Sequence, residues 1–164
     1  MMVGVPMEIN IVVEKGLGKA VKRDWLRRVV KKVLTAESAD SATEVDLMIT
    51  GQERVRELNR QYLGEDRPTD VLAFPLQPVP ETAERPPFIA PPDGIKHLGE
   101  VIISYPQAVI QATEHQHPIT REMALLIIHG ILHLLGYDHG VPQDKRQMRD
   151  REAEILSLIE GELA

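Results

Sequence analysis

The chain alternates between short apolar stretches and longer segments in which apolar residues recur every three or four positions. Four stretches have the alternation or β-branched enrichment typical of strands, and five segments have the spacing of amphipathic helices. The strand-like stretches span 7–13, 44–49, 69–75 and 98–104, and the helical segments span 22–34, 50–64, 106–114, 120–136 and 143–159. Because strands and helices are interspersed and the longest helical run is C-terminal, the pattern predicts an α+β fold.

Residues at the ends of two predicted helices match capping patterns. Thr50, followed three residues later by Glu53, forms a capping-box pattern, and Thr120 is expected to cap the helix at 120–136. Gly136 is expected to end that helix in a left-handed turn. Apolar residues cover most of the same helix, so it is expected to be central and buried. The buried side of the helix at 50–64 is predicted to consist of Val55, Leu58 and Tyr62.

Length and composition indicate one cysteine-free domain. The chain has 164 residues, of which 43% are hydrophobic, and residues 1–164 are therefore predicted to share a single core. The proline-rich stretch at about 76–94 has no apolar period and is predicted to be a loop or flap rather than a linker. Since the chain has no cysteine, a disulfide-linked partner is excluded, and any transition metal must be held by His, Asp or Glu.

The charge balance and the N-terminal sequence limit the partners and the compartment. A net charge of −6 argues against a protein that coats nucleic acid by bulk attraction. The N-terminal residues lack a signal-peptide pattern, and no stretch approaches the roughly 20 apolar residues of a membrane span, so a cytoplasmic protein without membrane contact is expected. One face of the helix at 22–34 is nevertheless basic, and it is either a solvated surface or an RNA-facing patch. Its cations are Lys22, Arg23, Arg27, Arg28, Lys31 and Lys32.

Three histidines on and after the predicted central helix form the candidate chemical site. His129 and His133 are four residues apart, so their imidazoles lie on one helix face, one turn apart. Gly136 allows a sharp reversal, from which His139 can return as a third ligand. Three neutral imidazoles and one water make a tetrahedral Zn²⁺ site with an open position, although copper and nickel also accept this ligand set. One shared cation satisfies three side chains that would otherwise each need a polar partner.

The spacing of these histidines is similar to the metzincin motif, in which His-Glu-x-x-His is followed by a glycine and a third histidine. Here Gly130 occupies the position of the glutamate base, which counts against peptide hydrolysis. Asp138 is one candidate for a base elsewhere, and its alternative role is to orient a ligand imidazole. Asp70 is another candidate, and a turn or strand-edge cap is its alternative role. The remaining histidines, expected to be structural or exposed loop residues, are His97, His115 and His117.

Three segments of the sequence resemble the YbeY family of bacterial rRNA-maturation endoribonucleases, in the family's order. They are LNRQYLGEDRPTDVLAFP, HLGEVIIS and HGILHLLGYDH. The resemblance implies an α+β fold with a small mixed sheet, a Zn²⁺ ion held at the central helix by His129, His133 and His139, and a cleft wall that includes residues 68–70. It also implies action on single-stranded RNA, in 3′-end maturation of small-subunit rRNA and in ribosome quality control, with the small ribosomal subunit as partner.

One position departs from the family pattern. The family usually has an arginine after the tyrosine of its upstream motif, where this chain has Leu63 after Tyr62. That arginine is thought to engage RNA phosphate, and a leucine cannot pair with phosphate. Either Arg60 or Arg67 replaces it, or this chain binds RNA in another way.

Two functions of different classes follow from these observations. The first is a zinc-dependent, single-strand-specific endoribonuclease in rRNA processing, with either water or the RNA 2′-hydroxyl as the nucleophile. The alternative is a non-catalytic ribosome-assembly factor with a structural zinc, which the negative net charge and Leu63 favour. Gly130 opposes a third hypothesis, a metalloprotease. RNA contacts are predicted at Lys22, Arg23, Arg60 and Arg67.

Overall fold

The computed structural model describes residues 7–17, 21–39, 42–65, 69–76, 95–137 and 142–162. The strands are β1 (Glu8–Val13), β2 (Thr43–Thr50), β3 (Val71–Pro75) and β4 (Lys96–Ser104). The helices are α1 (Arg23–Ala36), α2 (Gln52–Leu63), α3 (Tyr105–His115), α4 (Ile119–Leu134) and α5 (Pro142–Leu158), and a 3₁₀ turn follows at Glu160–Glu162. Each predicted element is present close to its predicted bounds, and the α+β class is confirmed. None of the described helices is long and apolar enough to cross a membrane.

The four strands form one mixed sheet in the order β1-β2-β4-β3. Both β1 and β4 pair in parallel with β2, whereas β3 runs antiparallel to β4. A bulge at Leu98 shifts the register of β4 against β2. Gly99 follows the bulge with a φ of +135°, and a Cβ there would collide with the backbone oxygen of Phe74. Only glycine therefore allows β3 and β4 to approach each other at this point.

Helix α4 lies on one face of the sheet, at the centre of the main core. Ile127 of α4 and Val101 of β4 belong to the same buried cluster, and α1, α3 and α5 also pack against α4. Helix α2 covers the opposite face, where Val55 and Ile102 belong to a second, smaller cluster. Neighbouring β4 residues contribute to different clusters because successive side chains of a strand point to opposite faces.

A single arginine ties α5 to the end of α1. Arg151 donates from Nη2 to the backbone carbonyl of Ala36 at 2.6 Å, and its Nε pairs with the carboxylate of Glu37. Burial raises the pKa of the Tyr137 hydroxyl, and the adjacent Glu37 raises it further. These contacts fix the position of α5. Glu152, the residue after Arg151, contributes to the site described below.

Two predicted helix caps are wrong. Helix α2 has Gly51 rather than Thr50 as its N-cap, and the Thr50 hydroxyl instead donates to Glu14 Oε1 at 3.0 Å. Helix α4 has Pro118 rather than Thr120 as its N-cap, and no side chain caps it. The hydroxyl of Thr50 therefore bonds to Glu14, which is distant in sequence, and does not cap the start of α2 as the local pattern predicted.

The buried side of α2 extends over fewer of its apolar residues than the sequence predicted. Val55 is fully buried, but Tyr62 is 62% exposed, so its predicted burial is wrong. The Tyr62 ring packs edge-on against Phe74, with the ring centroids 5.5 Å apart. Asn59 is buried in its place, and this polar side chain lies beside the cleft described below.

The end of α4 agrees with the expected glycine turn. The helix ends at Leu134, and Gly136 adopts a φ of +104°. The backbone N–H of Tyr137 then donates to the carbonyl of Leu132 at 3.0 Å, so the reversal also satisfies an end carbonyl of the helix.

Several predicted features lie outside the described residues. They include the proline-rich loop at about 76–94, except for Leu76. They also include Arg67, Asp138 and His139. The described residues of the site lie on α2, α3, α4, α5 and β3 and in the segment before β3.

Candidate metal centre and cleft

Two histidines lie one turn apart on α4, as their spacing predicts. The ring centroids of His129 and His133 are 4.8 Å apart, with an edge-to-face angle of 74°. The His129 side chain is 29% exposed, although most of α4 is buried. Both rings line the same cleft, so two imidazoles are available on one surface of an otherwise apolar helix.

A carboxylate on α5 orients the first of these rings. His129 Nδ1 and Glu152 Oε2 are 2.7 Å apart. When Nδ1 donates to the carboxylate, the lone pair of the neutral imidazole lies on Nε2, which is then the nitrogen suited to a metal. The sequence did not single out Glu152, because α5 carries several carboxylates and nothing local distinguishes the one that reaches His129.

A cleft of about 580 Å³ opens beside the two histidines. Asp70 lines it at the start of β3, where its backbone carbonyl accepts the Ser104 N–H at 2.9 Å. The structure therefore brings Asp70 to the same cleft as His129 and His133, while its role as a base stays a prediction. The other polar side chains of the described lining are Asn59, Thr69, Glu65, Gln107 and Gln111.

The described lining of this cleft carries carboxylates but no lysine or arginine. The carboxylates of Glu65 and Asp70 disfavour the binding of a further anion in the cleft, because like charges at short range repel each other. A divalent cation bound at His129 and His133 would offset the negative charge of these carboxylates, so that an anion could bind. The donor chemistry, the carboxylate behind His129 and the acidity of the lining therefore all fit a bound metal ion.

The close packing of α4 against the sheet explains the glycine at the position of the protease glutamate. A Cβ on Gly130 would lie 2.5 Å from Val101 Cγ1, and Val101 is buried in the sheet. Real Cβ atoms essentially never come that close to another heavy atom. The packing therefore disfavours any side chain at this position, a glutamate base included, in agreement with the argument against peptide hydrolysis.

The cations predicted to contact RNA lie in different places. Lys22 lines a separate groove of about 350 Å³ between α1 and the start of α4. Arg23 is exposed at the first residue of α1, and Arg60 is exposed on α2. Leu63, three residues after Arg60, lines the histidine cleft and is 58% exposed. Arg67 lies outside the described residues, so these RNA contacts stay predictions.

A second histidine pair differs from its sequence-based expectation. His115 is exposed, but His117 is partly buried, and both rings contact the Glu122 carboxylate. Burial by itself would raise the pKa of Glu122, but hydrogen bonds from His117, His115 and Gln111 hold it below its ordinary value. Among the described residues, this His-His-Glu group is one that can hold a metal ion. The expectation that both histidines are exposed is therefore wrong for His117.

Comparison with known sequences identifies related proteins over most of the chain. The sequence profile of the family described as "Endoribonuclease YbeY" matches residues 10–160. A protein named Endoribonuclease YbeY from Dehalococcoides mccartyi (strain ATCC BAA-2266 / KCTC 15142 / 195) is 50% identical over 135 residues, which cover 81% of this chain and 78% of that protein. A Bacillus cereus (strain B4264) protein of the same name is 40% identical over 142 residues, or 85% of this chain and 89% of its own length.

A solved structure shares the fold. The solution structure of TM1509 from Thermotoga maritima has a TM-score of 0.61 to this chain and 27% sequence identity. The match covers 94% of this chain and 90% of that protein. The arrangement of the mixed sheet and its helices is therefore one that has been observed in a related protein.

Proposed function

The chain belongs to the family of YbeY endoribonucleases, and on this premise we propose that it is a zinc-dependent endoribonuclease that cleaves single-stranded rRNA. The observation that carries the proposal is the pair of imidazoles at the wall of an acidic cleft, with Glu152 bound to His129 Nδ1. A carboxylate behind a histidine is the usual support of a metal ligand. The fold alone, or the histidine spacing alone, would not indicate that such a carboxylate is present.

The metal would be held by His129, His133 and His139. When bound, Zn²⁺ supplies a Lewis acid and lowers the pKa of a bound water to about 7. Glu152 fixes the orientation and tautomer of His129, and Asp70 lines the same cleft, where its carboxylate can accept a proton from the nucleophile. Asp138, next to His139, is proposed as a further carboxylate of this centre.

Single-stranded RNA suits the cleft better than a duplex does. The exposed side chain of Leu63, at the end of α2, lines the cleft, and an unpaired base can pack on such a surface. Bases in a duplex are already stacked on their neighbours. We assign phosphate contacts to Arg60 and Arg67, and we place Lys22 and Arg23 along the path of a longer RNA.

The cellular role that we propose is 3′-end maturation of small-subunit rRNA and ribosome quality control in the cytoplasm, with the small ribosomal subunit as partner. It is supported by the family resemblance of the His129 and Asp70 segments. No observation on the described residues favours the alternative of a non-catalytic assembly factor.

The proposal is tested with purified protein and two end-labelled RNAs of the same sequence, one single-stranded and one annealed to its complement. We expect internal cleavage of the single strand, loss of cleavage on chelation, and no cleavage by His133→Ala prepared in the same way. His97→Gln is the matched control, because His97 lies on β4, outside the described cleft lining. A folded, zinc-loaded protein that binds small-subunit particles but cleaves no RNA would contradict the proposal and favour the assembly factor.

A further inference from the structure

A second group of metal-binding side chains lies where α3 ends and α4 begins. His115 is the last residue of α3, His117 lies in the connecting turn, and Glu122 is in the first turn of α4. One ligand atom from each of these residues lies within 4.8 Å of the other two. We propose that His115, His117 and Glu122 bind a divalent transition-metal ion such as Zn²⁺, at a site separate from the centre formed by His129 and His133.

The atoms of this group already have nearly the separations that a metal requires. Glu122 Oε1 lies 3.1 Å from His115 Nδ1 and 2.6 Å from His117 Nε2. Ligands placed 2.0–2.1 Å from a tetrahedral zinc ion are about 3.3 Å apart. The two separations from Glu122 Oε1 are therefore close to those of a metal site, and the ligand atoms of the two histidines lie within 4.8 Å of each other. Two imidazoles and one carboxylate are also an established protein ligand set for zinc.

The turn between α3 and α4 directs both rings toward the carboxylate. Gln116, between the two histidines, adopts a φ of +56°, so the chain reverses at this residue. The backbone N–H of His117 then donates to the carbonyl of Ala112 at 3.1 Å. The two imidazole centroids are consequently 5.4 Å apart, although an extended His-x-His segment would separate them further.

The carboxylate of the group is buried and held from behind. The Glu122 side chain is only 4% exposed, and its Oε2 accepts from Gln111 Nε2 at 2.8 Å. This contact leaves Oε1 facing the two histidines. A buried carboxylate needs compensation, and a cation provides more of it than neutral imidazoles do. The hydrogen bond from Gln111 would act as the outer support of a metal ligand, as Glu152 does for His129.

The distance between the two centres excludes a shared catalytic role. Glu122 and His129 are seven residues apart on α4, which corresponds to about 10 Å along the helix axis. Paired catalytic metals lie about 3.5–4 Å apart. The ion at Glu122 would instead clamp α3 to α4. Because Gln111 both contacts Glu122 and lines the histidine cleft, the clamp would also hold one wall of that cleft in place.

The test measures bound zinc per chain after chelation and dialysis against Zn²⁺. We expect His115→Gln and His117→Gln each to bind one equivalent fewer than the unaltered protein, and His133→Ala to retain the equivalent at Glu122. His115→Gln changes a side chain that is 58% exposed, so it provides the test even if His117→Gln does not fold. His97→Gln is the matched control, since His97 contacts the Glu44 carboxylate and lies outside the group around Glu122.

A thermal measurement provides a second readout that does not depend on catalysis. Zn²⁺ is expected to raise the Tm of His133→Ala, and this increase should be absent when His117→Gln is added. The proposal is overturned if His115→Gln and His117→Gln bind as much zinc as the unaltered protein. It is also overturned if His133→Ala binds no zinc. A failure of RNA cleavage alone would count against the proposed function and not against this second site.

Discussion

Across the interface between α4 and α5, His129 Nδ1 lies 2.7 Å from Glu152 Oε2. This contact joins the candidate metal centre to a helix that follows it in the chain, and Arg151 fixes that helix against the end of α1. The orientation of His129 thus depends on packing between elements and not only on the histidine motif. A neutral residue at position 152 would leave the ring in place but provide less negative charge behind it.

Glu152→Gln is therefore expected to weaken Zn²⁺ binding at the histidine centre by about 10- to 100-fold. A glutamine oxygen can still accept the Nδ1 proton, so we expect the fold to persist and the change to be confined to metal affinity. Competition with a chromophoric chelator measures the affinity. Glu154→Gln is the control, because Glu154 lies on the same helix with a side chain that is 64% exposed. Equal zinc affinity in the two variants would show that Glu152 does not support the metal.

Gly130→Ala is expected to destabilise the protein. Adding a methyl group against Val101 overpacks the interface between α4 and β4, which costs about 1–3 kcal/mol. Alanine is the better helix former by about 1 kcal/mol, so this gain offsets only part of the cost. A net loss of up to about 2 kcal/mol should be seen in denaturant unfolding.

The same contact can be tested by a double variant. Val101→Ala removes the methyl groups that would meet the new Cβ at Gly130. The loss of stability in Gly130→Ala with Val101→Ala should be smaller than the sum of the two single losses. Strict additivity of the two changes would show that Val101 is not the reason for glycine at this position.

Leu63→Arg is expected to strengthen the binding of single-stranded RNA. The new guanidinium would stand in a cleft whose described lining has carboxylates but no lysine or arginine. One added phosphate contact should make the slope of log affinity against log salt steeper by about 0.7. Fluorescence anisotropy with a labelled single strand at several salt concentrations gives this slope.

A matched leucine separates the effect of the cleft from that of overall charge. Leu158 is also exposed, at the end of α5, and is not part of the described cleft lining. Leu158→Arg changes the net charge by the same amount and should leave the salt slope nearly unchanged. If both variants bind RNA equally well, Leu63 does not face the bound phosphates.

Glu100 gives the protein a dependence on pH that is separate from the metal centre. Burial raises the pKa of its carboxyl group, and Asp46, its register partner on β2, raises it further, while Arg54 lowers it in part. Because the folded state favours the protonated form, the contribution of Glu100 to stability is fully present below its unfolded-state pKa. It is lost as pH rises through the raised folded-state pKa.

Glu100→Gln imitates the protonated form at every pH. We expect it to raise the Tm at pH 7, with a difference from the unaltered protein that shrinks as pH is lowered toward about 4. Glu154→Gln removes the same charge from an exposed helix position and serves as the control. A Tm difference for Glu100→Gln that does not change with pH would contradict the raised pKa.

Much of the fold could be predicted because its signals are local. The alternation at 44–49 and the apolar spacing at 120–136 reflect which faces are buried, and each segment carries that information in its own residues. The pairing of His129 with His133 and the turn at Gly136 follow from helix geometry in the same way. The cap predicted at Thr50 is wrong because its hydroxyl donates to Glu14, which follows β1, and not to the backbone of the residues that follow it.

The parts of the site that could not be predicted depend on contacts between distant segments. The contact between Glu152 and His129 joins residues 23 positions apart, and nothing near Glu152 distinguishes it from other carboxylates of α5. The group around Glu122 depends on the reversal of the chain at Gln116. This residue has a positive φ although it is not a glycine, so the sequence did not indicate the reversal. The reason for Gly130 lies in Val101, on a strand that is remote in sequence.

We propose above all that a metal held at His129 and His133 is required for RNA cleavage. The most direct test titrates chelator-treated protein with Zn²⁺ while bound zinc and cleavage of a single-stranded RNA are measured in the same samples. We predict that cleavage appears as this site fills in the unaltered protein, and that His133→Ala stays inactive at saturating zinc. Full cleavage by the metal-free protein, or by His133→Ala, would show that this metal is not required.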